Sequence, residues 1–257
     1  MHRVRVAGAA TALALAALVL APRPVTTLAT HTEDALLPDL AVLAPRDFRI
    51  VVRDSGRRLL RFTTIIVNVG DGPFQLSGYD DDGFAAKQDI LSVNQQILEP
   101  DGTFSRHHTS ATMFWSGDGH DHWHVTGLQV SKLQNLEKEE VGSIKKVGFC
   151  FVDNFPYGSS QPAYYTQAID ICFTKANGRV PMGVSKNWGD TYPSTFKFQW
   201  VDITDLPNGD YRLRVIADPT DVPGGQFIES NETNNVGWAK IRIQGTSVEV
   251  LRKSNRP

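Results

Sequence analysis

No part of this chain carries the 3.6-residue apolar period of a long amphipathic helix. Its apolar residues fall in short, β-branched runs broken by turn clusters. Phe48, Ile50 and Val52 alternate, and Arg57, Leu59, Arg61, Thr63, Ile65 and Val67 continue the period of two. Asn68-Val69-Gly70-Asp71-Gly72-Pro73 ends that run as a turn. Further runs lie at Val125–Leu133, Ser143–Val152, Thr195–Ile203, Tyr211–Ala217 and Val236–Gln244. Asn208-Gly209 between two of them reads as a hairpin turn. Many short strands at this spacing predict a mainly β fold, an antiparallel β-sandwich with long loops and little helix. The loops are expected at Tyr79–Lys87 and Phe155–Gln167, and the tail at 246–257 is expected to fray.

The 257 residues are enough for one good core. His2, Arg3 and Arg5 precede an apolar stretch from Ala7 to Ala21, the order of a secretory signal. Thr27-Leu28-Ala29 is a small-x-small cleavage site, so residues 1–29 are expected to leave and a short segment, 30–36, to open the mature chain. An uncleaved membrane anchor is the alternative, though the stretch is short for a bilayer. Cleavage removes Arg3, Arg5 and Arg23 and no acid, taking the formal charge from −2 to −5. No basic stripe is present, which argues against a nucleic-acid partner. After signal cleavage no membrane role is expected. The two cysteines, Cys150 and Cys172, are expected to form a disulfide in an oxidising compartment. In the chain-entropy account such a bridge contributes ~3 kcal/mol.

Three of the histidines fall within five positions: His120, His122 and His124. On a strand, alternate residues share a face, so the three can converge while Asp121 and Trp123 face away. Reach adds a condition. The outer α-carbons of a flat strand would stand ~13 Å apart, too far for one ion ~2 Å from each nitrogen. The strand must therefore bend, and Gly117 and Gly119 are the residues that would let it. Three imidazoles suit copper or zinc. Zinc would imply hydrolysis by an activated water, copper redox chemistry. His107 and His108 form a separate pair. The histidines alone leave this choice open.

Five segments, the histidine run among them, resemble the catalytic domain of the lysyl oxidase family, over roughly Leu37 to Gly245. They are Pro38-Asp39-Leu40; Arg58-Leu59-Leu60-Arg61-Phe62 with Asn68-Val69-Gly70; His120-Asp121-His122-Trp123-His124; Lys146-Val147-Gly148-Phe149-Cys150; and Asp190-Thr191-Tyr192 with Gln199-Trp200-Val201-Asp202-Ile203-Thr204-Asp205. The resemblance implies Cu(II) on His120, His122 and His124. It further implies that Lys146 and Tyr192 are catalytic and combine into a lysine tyrosylquinone cofactor, an electron sink for primary amines. The implied enzyme is a secreted, bacterial-type amine oxidase. It would use O2 to convert primary amines, peptidyl lysine above all, to aldehydes, with release of ammonia and hydrogen peroxide. Lys146 must lose its proton before it can attack the oxidised ring.

Departures from the family pattern matter as much. One disulfide stands where the animal enzymes have several. Ser131 occupies the place of a histidine sometimes proposed as the base, which leaves Asp190 and Asp202 as candidates. Glu229-Ser230-Asn231-Glu232-Thr233-Asn234-Asn235 resembles a family segment that holds calcium with the Asp-Leu at the domain start. Asp39, Asn231 and Asn235 are the calcium candidates on that basis. The same segment resembles a signature of immunoglobulin-like adhesion modules, so a non-catalytic β-sandwich binding module with a metal site is the competing reading.

Overall fold

The computed structural model describes residues 31–117, 119–219 and 225–255. The expected signal at 1–29 lies outside them. Seventeen strands and a single turn of 3-10 helix, Gln167–Ile169, make up the described secondary structure, and every strand pairing is antiparallel.

Three sheets form. The first is built around β3 (Arg58–Asn68), flanked over its C-terminal half by β1 (Leu40–Val42) and β13 (Trp188–Tyr192). Over its N-terminal half it pairs with β2 (Arg46–Val52) and β14 (Trp200–Asp202), and β11 (Phe155–Pro156) borders β13. The second sheet runs in the order β10 (Gly148–Phe149), β7 (Trp123–Thr126), β6 (Phe104–Trp115), β5 (Ile90–Leu98), β4 (Phe74–Tyr79), β12 (Val180–Val184). The third runs β17 (Ser247–Lys253), β16 (Val236–Gln244), β15 (Gly209–Ala217), β8 (Gln129–Gln134), β9 (Glu140–Ser143). The mainly β, antiparallel sandwich read from the sequence is what forms.

β3 departs from the simple alternation. Residues 59–68 are all buried, because this strand is covered on both faces. Leu60 and Phe62 join a core with Leu213, Ile241 and Ile243 of the third sheet. Ile66 joins a larger core with Phe74, Met113, Trp123 and Phe149. Three polar residues of β3, Arg61, Thr63 and Thr64, serve the loop after β13. The buried Arg61 guanidinium donates to the carbonyls of Ser194 and Phe196. The Thr63 hydroxyl accepts from the Ser194 N–H at 3.0 Å, and Gln199 donates to the Thr64 hydroxyl at 3.2 Å.

Glycines and turns correct several expectations. The run Val125–Leu133 is cut at Gly127, whose φ of +71° turns the chain from the second sheet into the third. Ser143–Val152 and Thr195–Ile203 shrink to β10 and β14, with loop between. Asn208-Gly209 is no hairpin, since β14 and β15 belong to different sheets. It is a corner: the Tyr211 hydroxyl donates to the Pro207 carbonyl at 2.7 Å, and Asn208 accepts from the Gly245 N–H at 2.8 Å. The expected frayed tail is ordered over its described residues, 246–255. Gly245, at φ +57°, and Thr246 turn the chain back, and Val248 and Val250 pair with Ile243 and Ile241.

Asn68 closes the junction between the first two sheets. Its carbonyl oxygen accepts from the N–H groups of Asp39 and Gly70, and its amide donates to the carbonyls of Gly72 and Val184. Replacing it with alanine strands four buried backbone groups, each costing ~1–3 kcal/mol if left unpaired. With partial relief by water, Asn68→Ala is expected to lower stability by about 3 kcal/mol in urea unfolding, with an unchanged m-value.

Candidate metal and cofactor site

The histidine run is a turn entering a strand, not the bent strand expected. His120 sits in a turn, His122 at a bend, and His124 at the second position of β7. Gly119 at φ +91° supplies the expected glycine, and Asp121 at φ +46° adds a second left-handed position, which aspartate tolerates. The turn removes the reach problem. One ligand nitrogen from each of the three rings lies within 4.8 Å of the others, and the Nε2 atoms of His122 and His124 are 3.0 Å apart. Nitrogens sharing one ion stand at most ~4.2 Å apart, so small ring rotations complete a three-nitrogen set. Aromatic walls hold the rings: Phe196 against His120 at 5.9 Å, Phe173 against His122 at 6.2 Å, and Phe114 against His124 at 5.8 Å between centroids. Trp123 goes the other way, fully buried in the core, as expected.

Lys146 and Tyr192 arrive from different directions. Lys146 precedes β10, the edge strand beside β7; Tyr192 ends β13 in the first sheet. Both are buried, at 5% and 4% exposure. The Lys146 Nζ lies 5.6 Å from the centre of the Tyr192 ring. Phe149 packs edge-on against Tyr192 at 4.8 Å. The Tyr192 hydroxyl donates to the Cys150 carbonyl at 3.0 Å. Burial, reinforced by the Asp190 carboxylate, pushes this phenol well above its ordinary value and keeps it neutral. Cys150 is bonded to Cys172, Cα–Cα 5.9 Å, which anchors the wall of the site. The Cys172 carbonyl also accepts from the Trp123 backbone N–H at 2.9 Å, tying the bridge to the histidine turn.

All five residues border one cavity of about 470 Å³, with Asp190, Phe173 and Phe196 also in its wall. Asp190 is 1% exposed. Burial raises its carboxyl to about 8, against the pull of the Tyr192 phenol, the Val152 N–H, Asn154 and Lys146. Asp202 lies elsewhere, at the surface on Arg57 at 2.7 Å. Asp153, also in the wall, is fully occupied by structure. It accepts from the N–H groups of Tyr164, Tyr165 and Ser185 and from the Ser185 hydroxyl. Phe173, Phe196 and Asn154 escaped the sequence reading because loop aromatics and a lone amide carry no periodic signal.

The lysyl oxidase family model matches residues 81–252, two thirds of the chain. The chain belongs to the lysyl oxidase family. Among its relatives, lysyl oxidase homolog 2 of Bos taurus is 32% identical over 129 residues, covering 50% of this chain and 15% of that protein. The Homo sapiens homolog 2 is 31% identical over a stretch of the same length. Lysyl oxidase homolog 2A of Danio rerio is 28% identical over 191 residues, 74% of this chain and 20% of that protein. The chain thus spans a fifth or less of these relatives' length. The ordered motifs that carried the resemblance in the sequence are consistent with this membership.

A second cluster lies between β1 and the segment before β16. Carboxylate oxygens of Asp218, Glu229 and Glu232 come within 4.8 Å of one another. Asp39 accepts from the Asn234 amide at 2.7 Å, and the Asn235 amide donates to Glu229 and Glu232 at 3.1 Å each. The side-chain oxygens of Asn234 and Asn235 are buried without a donor. Of the calcium candidates, Asp39 and Asn235 reach this cluster. Asn231 does not: its oxygen accepts from the Thr233 N–H and hydroxyl, closing its own turn. Asp218, Glu229 and Glu232 were not singled out from sequence, and Asp218 lies too far upstream of the segment to be read with it.

Burial pushes Glu229 up to about 9, despite its bond from the Leu40 N–H, and the charges of Glu232 and Asp218 push the same way. Both Glu229 and Asp190 are thus raised above their unfolded values near 4. Their contribution to stability is full below about pH 4 and is lost as pH rises through about 8 to 9. Cation-free protein should therefore unfold at progressively lower urea from pH 5 to pH 9. Glu229→Gln should flatten that slope, and a profile identical to the wild type would contradict the assignment.

Proposed function

We propose that this chain is a secreted copper- and quinone-dependent amine oxidase that converts primary amines, peptidyl lysine in particular, to aldehydes with O2, releasing ammonia and hydrogen peroxide. The observation that carries the reading is the meeting of three imidazoles, a buried lysine and a buried tyrosine at one cavity. An isolated histidine cluster needs neither of the last two.

The donor set fits Cu(II): three imidazole nitrogens, no thiolate, and rings fixed by aromatic walls. His120, His122 and His124 would hold the metal, and Lys146 with Tyr192 would make the quinone; together the two supply the electron sink and the oxygen chemistry. The remaining work falls to the chain itself. Phe173 and Phe196 line an apolar entrance that sheds water from an incoming aliphatic amine. Asp190, buried in the same wall, offers a carboxyl group that can exchange a proton with an amine. The Cys150 carbonyl fixes the orientation of the Tyr192 ring, and Phe149 blocks one edge of it. Export is supported by the Cys150–Cys172 bridge, which suits an oxidising compartment. Among the described residues no helix is long and apolar enough to cross a membrane.

Copper-free protein loaded with Cu(II) in air should acquire a covalent Lys146–Tyr192 crosslink by peptide mass spectrometry and react with phenylhydrazine. Lys146→Arg and Tyr192→Phe should bind copper yet give neither signal. His122→Ala should weaken copper by more than the roughly 10–100-fold that outer-shell changes cost. A fully copper-loaded wild type with both residues unmodified would leave the binding-module reading in place. Activity with zinc and no oxygen uptake would favour the hydrolase.

The second cluster supports calcium in the same protein. Asp39, Asn235, Asp218, Glu229 and Glu232 offer carboxylate and amide oxygens, the donors hard cations take. Asn231 would join only by releasing its own turn. Calcium at a hundredfold excess over its Kd should add about 2.7 kcal/mol of stability. A thermal midpoint unmoved by calcium and by chelator would exclude the site.

A further inference from the structure

Asp190 lies two residues before Tyr192 on β13, so the two side chains leave the same face of the strand. One of its oxygens accepts from the Asn154 amide. The other, Oδ2, is buried with no hydrogen-bond partner. A carboxylate oxygen without a donor is costly to bury and calls for a reason. The cavity provides one, since the same wall carries Lys146 and Tyr192. Asp202, the other aspartate near Tyr192 in sequence, is engaged at the surface by Arg57 and Thr204.

We propose that Asp190 is the proton acceptor that frees the Lys146 amine for crosslinking to Tyr192. The inference rests on the amine oxidase reading above. In the step, a proton leaves the Lys146 Nζ ammonium and settles on Asp190 Oδ2. An ammonium and a carboxylate become an amine and a carboxylic acid, with no electron transferred and no change in total charge. Burial favours the neutral pair over two charges held out of water. The elevated carboxyl value agrees, since the carboxylic acid formed by the transfer keeps its proton near neutrality. The Asn154 amide holds Oδ1 in place and leaves Oδ2 as the oxygen without a partner. Among the described residues, the other ionisable groups bordering that cavity besides Lys146 and Tyr192 are Asp153, Tyr165 and the three histidines. Asp153 is saturated by its own donors, and the Tyr165 hydroxyl donates to Gln75. The histidines are committed to the metal. Among the described residues, Asp190 is the carboxylate of this wall that keeps an oxygen without a partner.

The test follows the Lys146–Tyr192 crosslink by peptide mass spectrometry after Cu(II) and air are added to copper-free protein. Wild type, Asp190→Asn, Asp190→Ala and Asp202→Asn are compared, with copper content and thermal midpoint measured for each. Asp190→Asn keeps the shape and removes the base, so its crosslinking should slow roughly a hundredfold. Asp190→Ala should be as slow in chloride and should speed up severalfold in formate, a small carboxylate able to enter the vacated space. Asp202→Asn should match wild type. Crosslinking of Asp190→Asn at the wild-type rate would overturn the proposal, as would indifference of Asp190→Ala to formate. If Asp190→Asn misfolds, the alanine variant with and without formate decides alone. A wild type that binds copper and never crosslinks removes the oxidase reading itself, an outcome distinct from the other two.

Discussion

Burial of β3 on both faces is the constraint on which the other parts depend. A strand covered on one side only would serve one sheet packing. β3 instead contributes to the core shared with the second sheet and to the core shared with the third. Such a strand cannot shift register without exposing one apolar set and burying unpaired groups on the other. It therefore fixes β13 against it, with Tyr192 opposite Thr64. It fixes the following loop as well, through Arg61, Thr63 and Thr64. The position of a tyrosine at the cavity is in this sense decided by side chains that never reach the cavity.

The second sheet approaches the same point independently. β7 and β10 carry His124 and Lys146 to the wall, and the Cys150–Cys172 bridge holds the loop between β10 and β12 beside them. The site is thus a junction of two sheets, each presenting half of the chemistry. Its interior is apolar around a few polar groups, and those groups answer to one another: the phenol to the Cys150 carbonyl, Asp190 to Asn154. A low local dielectric makes each of these pairings stronger than it would be in water.

Legibility in the sequence followed the reach of the physics involved. β15 and β16 were visible because one of their faces is wet and alternation survives. The turn at 68–72, the disulfide pair and the convergence of three histidines were visible because local residue types dictate them. β3 was found as a strand, but its double coverage was hidden, since that depends on partners far along the chain. β17 was missed because two valines in a polar tail make a weak pattern, and Gly245 was not read as a turn residue. The bent strand at the histidines became a turn for the same kind of reason. Asp121 tolerates a backbone conformation that a period-two reading does not consider. Asp190 and Asp202 are both candidates in the sequence, and tertiary burial separates them.

The acidic cluster beside β1 has a consequence for the order in which the molecule can be assembled. Asp39 meets Asn234 across 195 positions, and the Pro38 carbonyl accepts from the Ser230 N–H at 2.9 Å. Contacts of this separation carry the largest loop-closure cost and slow folding most. β1 emerges during synthesis well before the residues that lie beside it. An ion gathered by those carboxylates would act as a clasp on that closure, holding together two distant segments that have had to wait for each other.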